Sequence, residues 1–374
     1  MKLFGKATVS DFLDDRIVYR NLMPVDKGLP DLSTLGPQVG LAPGRVPRKS
    51  EPDYARVVVA MLQQARSQPI ERLLFVGDTR LNDGTAFANI CQASGWPGIA
   101  FIGSETADPP HVELIEEEER ILYLSNRWSA LYALDQFCAE RGFLINEQTA
   151  VIVDLDKTAL GARGRNAHAI DQARVQAVQD TVADLLGPDF DQAAFRTNYD
   201  RLNQVKYHPF TTDNQDYLAY ICLVLGTGLI QLAEVETAVS QGQLATFKQF
   251  IEQVDRRQAE LPLPLAAIHR DIYANTQAGD PTPFKAFRRT EYRTTIRRMG
   301  HLPDDTAVDR LLAEEILITG EVLAVCLAWR ERGALLFGLS DKPDEASLPP
   351  AELVADGYLP IHRQPTHVVG VTTI

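Results

Sequence analysis

The stretch TAVIVDLDKTALGARG, residues Thr149–Gly164, contains a short apolar run that ends in two aspartates one residue apart. Residues 150–153 are apolar and partly β-branched, which is typical of a strand buried on both faces of a parallel sheet. Such a strand ends at the carboxyl edge of the sheet, which would hold Asp154 and Asp156 close together in a partly desolvated position. Two carboxylates repel each other there unless a cation or a proton lies between them. The stretch therefore predicts a functional site at a strand end.

The composition is that of a large globular protein. The chain has 374 residues, of which 45% are hydrophobic and 23% charged. This length suits one large α/β domain with a second domain inserted into it, and widespread disorder is not expected. The formal net charge of −13 argues against nonspecific nucleic-acid binding, because no overall positive field would attract phosphates.

The cysteines and the apolar runs bear on localisation. No two cysteines have CxxC spacing, so neither a zinc site nor a redox dithiol is indicated, and reduced thiols are expected at Cys91, Cys138, Cys222 and Cys326. The N-terminal stretch MKLFGKATVSDFLDD becomes acidic before any apolar run long enough for a signal peptide. No run approaches the roughly 18 apolar residues of a membrane span. We therefore expect a cytoplasmic protein with no membrane partner.

Strand-like and helix-like runs alternate in the first part of the chain and return near its end. Residues 1 to about 50 contain a stretch rich in Pro and Gly and predict a long ordered or semi-ordered loop. Strands such as RLLFVGD and GIAFIG then alternate with helices up to AVIVDLD. From about Asn166 to Ala307 nearly every run is helical, before the strand-like EEILITGE and ALLFGLSD. This alternation implies a mostly parallel sheet. We predict an α/β fold with a doubly wound, Rossmann-like core over residues 1–165 and 311–374, and an all-helical domain inserted at 166–310.

The sequence DLDKT, Asp154–Thr158, has the form DxDxT at a strand end. It resembles motif I of the haloacid dehalogenase (HAD) superfamily, whose usual form is DLDGTL. Lys157 replaces the glycine and Ala159 is an extra residue before Leu160, but the spacing of the two aspartates and the threonine is intact. The resemblance implies a Rossmann-like core with its active site at the end of this strand.

A second acidic turn follows the strand RLLFVG. VGDTRLNDG, Val76–Gly84, resembles motif IV of the same superfamily in the form GDxxxxD, with Asp78 and Asp83 as its acids. Most members carry motif I first and motif IV last, whereas here the order is reversed. A circular permutation, with the chain cut between the family's third and fourth strands, would keep the two motif strands adjacent at a switch point of the sheet, where ligand sites form. We therefore predict a permuted HAD-like core.

A permuted core must supply the remaining motifs on either side of these two. Thr319 at the end of ILITGE fits the Ser or Thr of motif II, and ALLFGLSD would be the next strand. Two lysines lie in the interval expected for motif III. One is Lys342 in SDKPDEAS, and the other is Lys49 in RKSEPDYARVV, a stretch that also resembles the motif. The sequence does not decide between them.

The resemblance implies phosphoryl transfer through an aspartyl-phosphate. Asp154 would attack the phosphorus, which divides one difficult displacement into two easier steps. Asp156 would protonate the departing alcohol and then take a proton from water. Mg²⁺ would be held by Asp154, Asp78 and the backbone carbonyl of Asp156, with Asp83 in or near its coordination shell.

Other polar residues would hold the substrate. Thr319 and one of the two lysines would bind the transferring oxygens. Thr158 of motif I, and Arg163 and Arg165 just after it, would contact the phosphate. The inserted helices stand where the superfamily places a cap domain, which selects the substrate and excludes water on closing. We predict a Mg²⁺-dependent phosphatase of a small phosphorylated metabolite.

Two alternatives stay open from the sequence. Asp341 and Glu345 in GLSDKPDEAS could replace Asp78 and Asp83 as metal acids in an unpermuted order, with the N-terminal region as a separate Rossmann-like unit. Only two strands would then follow the insertion, which leaves that core short. The chain could also be a phosphotransferase, or a catalytically silent scaffold that binds a phosphorylated ligand or a protein partner. The sequence gives neither the substrate nor the oligomeric state.

Overall fold

The computed structural model describes residues 1–212 and 214–372. Its strands are β1 (Lys2–Ala7), β2 (Ile17–Val18), β3 (Arg72–Gly77), β4 (Gly98–Gly103), β5 (Val112–Glu117), β6 (Arg120–Ser125), β7 (Thr149–Asp154), β8 (Ile318–Thr319), β9 (Leu335–Leu339) and β10 (Thr366–Gly370). Its α-helices are α1 (Ser10–Leu13), α2 (Leu32–Gln38), α3 (Pro52–Gln64), α4 (Thr85–Ser94), α5 (Leu131–Glu140), α6 (Ala167–Leu186), α7 (Gln192–Leu202), α8 (His208–Thr211), α9 (Gln215–Gly226), α10 (Leu232–Ser240), α11 (Phe247–Asp255), α12 (Leu263–Gln277), α13 (Lys285–Ile296), α14 (Val308–Glu314), α15 (Gly320–Glu331) and α16 (Ala351–Ala355).

The chain forms two compact units, and the second interrupts the first. Residues 1–172 and 295–374 form the first unit, which contains all the strands of the described residues, and residues 173–294 form the second. The predicted insertion, residues 166–310, extends further at both ends. The difference arises because the first residues of α6 and the segment after α13 belong to the first unit.

The main sheet has seven strands in the order β2-β9-β7-β3-β4-β6-β5. Every neighbouring pair is parallel except β5 with β6, so the prediction of a mostly parallel α/β sheet is confirmed. β7 lies between β3 and β9, and all six of its residues are buried. A strand with parallel neighbours on both sides and both faces covered reads as a continuous apolar run, as residues 150–153 do.

The N-terminal segment contains β1, β2, α1 and α2, contrary to the loop predicted over residues 1 to about 50. β1 joins a three-stranded sheet of order β1-β10-β8, and β2 pairs with β9 at the edge of the main sheet. β2 is only two residues long, so it offers no periodic apolar signal in the sequence. Its backbone is nevertheless paired, since the N–H of Ser340 donates to the carbonyl oxygen of Val18 at 3.0 Å.

The second unit is helical and has an apolar core of its own. Its described residues, 173–212 and 214–294, contain no strand. Every residue from Leu218 to Leu225 in α9 is buried, which fits a helix that is apolar on all sides. Within the residues that the structure describes, no helix is both long and apolar enough to cross a membrane.

The second unit also contains a set of paired charges, here called the helical cluster: Asp216, Glu291, Arg288 and Arg174. Arg288 Nε donates to Asp216 Oδ2 at 2.7 Å, and its Nη1 donates to Glu291 Oε2 at 2.5 Å. Arg174 Nε donates to Glu291 Oε1 at 3.1 Å, and the N–H of Phe284 donates to Asp216 Oδ1 at 3.0 Å. Two carboxylates therefore face two guanidinium groups, and the cluster is balanced in charge.

Candidate functional site

The carboxyl ends of three neighbouring parallel strands, β9, β7 and β3, meet at one edge of the main sheet. Asp154 is the last residue of β7, Asp78 follows β3 directly, and Ser340 follows β9. All three residues are buried. Parallel strands deliver their end residues to one place, which explains how residues distant in the sequence come together here.

The turn after β3 is built around Asp83. Its Oδ2 accepts hydrogen bonds from the backbone N–H groups of Asp78 at 3.0 Å and Thr79 at 2.9 Å, and from Thr79 Oγ1 at 3.0 Å. Gly77 is required for this packing, because a Cβ atom there would lie 2.6 Å from the Cβ of Asp83. The glycine and the second aspartate of GDxxxxD thus fix the turn that presents Asp78.

Lys49 lies between two of the aspartates. Its Nζ is 2.7 Å from Asp83 Oδ1 and 2.6 Å from Asp154 Oδ1, and its side chain is 1% exposed. Burial alone would lower the pKa of Lys49, but the two carboxylates outweigh burial and hold that pKa well above its usual value. Lys49 is therefore a buried ammonium ion. Together with Asp78, Asp83 and Asp154 it forms what is here called the strand-end cluster.

The carboxylates of the strand-end cluster outnumber its ammonium ion. Burial, with the charge of Asp83, raises the pKa of Asp78 to about 7, although Arg163 opposes this shift. Burial also raises the pKa of Asp154 well above its usual value, despite the nearby Lys49. The pKa of Asp83 is lowered to about 2, because Lys49 outweighs the effect of burial. The cluster therefore retains negative charge that a further cation or a proton would neutralise.

The donor set of the cluster fits a hard cation. One oxygen from each of Asp78, Asp83 and Asp154 lies within 4.8 Å of the others, and Mg²⁺ takes carboxylate oxygens. Among the described residues, Asp154 Oδ2 and Asp78 Oδ1 have no N–H donor, whereas both oxygens of Asp83 are engaged. Asp154 and Asp78 are thus suited to bind the ion directly, and Asp83 holds Asp78 and Lys49 in place. The carbonyl of Asp156 stays a predicted ligand.

A second pair of opposite charges lies just beyond β7 and β9. Lys342 Nζ is 3.7 Å from Asp156 Oδ2, and the aspartate side chain is 28% exposed while the lysine is buried. Lys157 follows Asp156 with a φ of 65°, the left-handed region that favours glycine. Both candidate lysines therefore lie at the strand ends, Lys49 on Asp154 and Lys342 on Asp156.

Thr319 does not end a strand of the main sheet. It lies on β8 in the three-stranded sheet, and its Oγ1 donates to the backbone carbonyl of Thr158. The prediction that Thr319 supplies motif II beside β7 was therefore wrong, because the strand next to β7 is β9. Thr158 itself is fully buried, and its hydroxyl has no hydrogen-bond partner among the described residues, so its contact with the phosphate stays a prediction.

Ser340 lies just after the end of β9, the strand beside β7, which is the position predicted for Thr319. Its Oγ accepts a hydrogen bond from the N–H of Lys342 at 3.1 Å, directly after β9. The signal was present in GLSD, where a small polar residue follows an apolar strand. The equally apolar run ILITGE comes first after the insertion, so motif II was predicted at its Thr319.

Tyr54, near the start of α3, is a second residue that the sequence did not reveal. It is buried, and its hydroxyl has no hydrogen-bond partner in residues 1–212 and 214–372. Burial raises the pKa of Tyr54, and the phenol lies near enough to Lys49 and Asp154 for their charges to affect that pKa. No sequence pattern marks this residue, since a tyrosine in an amphipathic helix is ordinarily part of the core.

Arg163 and Arg165 have different surroundings. The side chain of Arg163 is 36% exposed, and its Nε donates to Asp78 Oδ2. Arg165 is 3% exposed and makes hydrogen bonds of 2.7 to 3.0 Å with Glu105 and Glu321. Burial would lower the pKa of Arg165, but these carboxylates raise it above its usual value. Arg165 is a structural cation with four of its five donors used, so its predicted phosphate contact is not supported.

The alternative metal acids do not join the strand-end cluster. Asp341 Oδ1 pairs with Arg20 Nη1 at 3.4 Å. Among the described residues, the carboxylates close enough together to share an ion are those of Asp78, Asp83 and Asp154, without Asp341 or Glu345. β3 also pairs directly with β7, so the N-terminal region is part of the same sheet and not a separate Rossmann-like unit.

Comparison with known proteins identifies no family for this chain. No protein-family model matches it, and no curated protein or solved structure matches it significantly. The residues at the strand ends are therefore the basis for proposing a function.

Proposed function

We propose that this protein is a Mg²⁺-dependent phosphatase of a small phosphorylated metabolite that acts through an aspartyl-phosphate on Asp154. The observation that carries the proposal is the state of the Asp154 carboxylate. Lys49 holds Oδ1 at 2.6 Å, Oδ2 has no N–H donor among the described residues, and Asp78 lies in the same cluster. Lys49 fixes this carboxylate at the strand end, which positions it to act as a nucleophile beside an ion shared with Asp78.

The remaining residues of the strand ends take roles that follow from their chemistry. Asp154 would attack the phosphorus of the ester while Asp156 protonates the departing alkoxide. Asp156 would then take a proton from the water that hydrolyses the acyl phosphate, which releases inorganic phosphate and restores Asp154. Ser340 and Lys342 would hold the phosphoryl oxygens. Bound Mg²⁺ would supply charge that offsets the repulsion between the carboxylates and the phosphate.

The strand order supports a permuted relation to the HAD superfamily. A circular reading of the chain starts at β7, runs to the C-terminus and continues from the N-terminus. It meets the main-sheet strands in the order β7, β9, β2 and β3, and these lie in the sheet in the order β2-β9-β7-β3. With Ser340 as motif II and Lys49 as motif III, the proposal places the break between the second and third strands of that reading. This is one strand earlier than the sequence predicted, because β2 was hidden in the presumed loop.

The second unit and the cysteines extend the proposal. We give the helical unit, inserted in the chain between Asp154 and Ser340, the role of a cap that selects the substrate. The four cysteines are free and buried, which suits a reducing compartment such as the cytoplasm.

Hydrolysis of p-nitrophenyl phosphate with Mg²⁺ tests the proposal. We expect turnover by the wild type, its loss in Asp154→Asn, and its retention in Asp341→Asn, a matched change at the neighbouring strand end. Equal background in the wild type and Asp154→Asn would support a silent scaffold instead. Loss in Asp341→Asn alone would move the site to the acids after β9. Faster transfer to an added alcohol than to water would indicate a phosphotransferase.

A further inference from the structure

Arg163 lies where the proposed cation and phosphate would meet. Its Nε donates to Asp78 Oδ2, and Asp78 is one of the two carboxylates suited to bind the metal. Only this nitrogen of the guanidinium is hydrogen-bonded in the described part of the chain, so Nη1 and Nη2 have no protein acceptor there. A guanidinium presents its donors as a planar fork that matches phosphate oxygens.

The backbone of Arg163 is held by several hydrogen bonds, whereas its side chain has one partner among the described residues, Asp78. Its N–H donates to the carbonyl of Lys157 at 2.7 Å, and its own carbonyl accepts from Glu105 N–H at 3.0 Å and Trp128 Nε1 at 3.1 Å. Gly164 has a φ of 77°, and a Cβ atom there would lie 1.9 Å from the carbonyl oxygen of Glu105. The loop is therefore closely packed, and the side chain is the part of Arg163 that can change its partner.

We propose that Arg163 couples the two ligands of the site: a divalent cation displaces its guanidinium from Asp78, and the released guanidinium binds the phosphoryl group. The inference rests on the proposed function, because it requires a cation at Asp78 and a phosphate beside Asp154. A cation at the open Oδ1 of Asp78 competes with the guanidinium on Oδ2 for the charge of one carboxylate, so a cation that binds alone weakens this ion pair, whereas a cation that binds with phosphate gives Arg163 a new partner. Each ligand therefore strengthens the binding of the other by the same factor.

Mn²⁺ binding, followed by the electron paramagnetic resonance signal of the free ion, tests this coupling. Without phosphate, Arg163→Gln should bind Mn²⁺ about tenfold more tightly than the wild type, because the competing guanidinium is gone. Inorganic phosphate should bind the Mn²⁺-loaded variant about tenfold more weakly. Arg56→Gln is the matched control: it removes an exposed arginine that pairs with Asp53 and should leave both affinities unchanged.

The outcomes separate the coupling from the proposed function. Mn²⁺ binding by the wild type with no change in Arg163→Gln would overturn the coupling and leave the metal site standing. Absence of Mn²⁺ binding by the wild type would overturn both. Arg163→Lys keeps the charge without the fork, so it should compete with Mn²⁺ but bind phosphate more weakly. A lysine variant equal to the wild type in both affinities would overturn the role of the fork.

Discussion

Each of the two units contains a cluster of charged side chains, and the two clusters differ in net charge. The helical cluster sets two carboxylates against two guanidinium groups. The strand-end cluster sets three carboxylates against the single buried ammonium of Lys49, with the half-exposed Arg163 on Asp78. Burial raises the pKa of Asp216 to about 6 against the effect of Arg288, and that of Asp78 to about 7. A raised aspartate pKa is therefore common to both clusters, whereas surplus negative charge and open carboxylate oxygens distinguish the strand-end cluster.

The largest effect expected from this comparison is on turnover. Asp154→Asn should lower kcat/KM by at least about 10³-fold, because it removes the nucleophile. It should not destabilise the metal-free protein, since it removes surplus buried charge. Asp216→Asn should show the opposite pattern, with turnover retained and stability reduced. Activity assays and urea unfolding of both variants check this, and equal loss of turnover in a folded Asp216→Asn would break the contrast.

Variants that lack the buried cation of either cluster should differ in how much a metal ion stabilises them. Arg288→Met should destabilise the protein by about 3–5 kcal/mol, because it leaves the buried carboxylate of Asp216 without a counter-ion. Lys49→Met should have a similar cost without metal, but a divalent cation should recover about 2.7 kcal/mol of it at 100 times the dissociation constant. Urea unfolding with and without Mg²⁺ measures the difference. A gain in stability with Mg²⁺ that is no larger in Lys49→Met than in Arg288→Met, whose strand-end cluster is intact, would contradict the account.

The metal-free protein should lose stability as the pH rises from 5 to 7. The pKa of Asp78 is about 7 when folded and about 4 when unfolded, so the folded state binds more protons in this range and the free energy of unfolding falls. The contribution is present below pH 4 and lost as the pH passes 7. It amounts to about 2 kcal/mol between pH 5 and 7.

Two variants and one ligand isolate the source of this pH dependence. Asp78→Asn should remove the part of the slope that belongs to Asp78, and Asp154→Asn the part that belongs to Asp154, whose pKa burial also raises. Asp216→Asn should remove only a part confined to pH values below about 6, where the folded pKa of Asp216 lies. Saturating Mg²⁺ should abolish the Asp78 contribution and leave that of Asp216, because the ion binds the carboxylate form. An unchanged slope in Asp78→Asn would show that Asp78 does not bind the additional proton of the folded state.

The smallest effect concerns the backbone. Lys157 and Thr212, one in each unit, have φ values of 65° and 53°, which cost non-glycine residues roughly 1 kcal/mol. Lys157→Gly and Thr212→Gly should each raise the free energy of unfolding by up to about 1 kcal/mol, less the greater freedom of glycine in the unfolded chain. Thermal unfolding checks both changes. Loss of stability in Lys157→Gly would show that the ion pair of Lys157 with Asp171 outweighs the strain.

The sequence was sufficient to predict the features that a few adjacent residues determine. The continuous apolar run of β7 and the turn residues after β3 predicted two strands with acidic ends, and the structure makes those strands neighbours. Lys49 was marked by its place before α3. In each case a few adjacent residues determine the local conformation, and the pairing of parallel strands then brings their ends together.

The sequence could not predict the position of a residue when that position depends on which sheet its strand joins or on contacts with distant segments. Thr319 and Ser340 both follow apolar strands, and only the pairing of β8 with β10 and of β9 with β7 separates them. Arg163 and Arg165 are two residues apart, yet one is half exposed on Asp78 and the other is enclosed by glutamates from distant segments. Such contacts depend on tertiary packing, which no local pattern records.

The most direct test of the central claim is the anomalous scattering of Mn²⁺ in crystals of this protein. The account predicts a peak within about 2.5 Å of carboxylate oxygens of both Asp154 and Asp78, and none at the helical cluster. The absence of a peak at the strand ends at a Mn²⁺ concentration that supports hydrolysis would contradict it, as would carboxylates of Asp154 and Asp78 too far apart to share one ion.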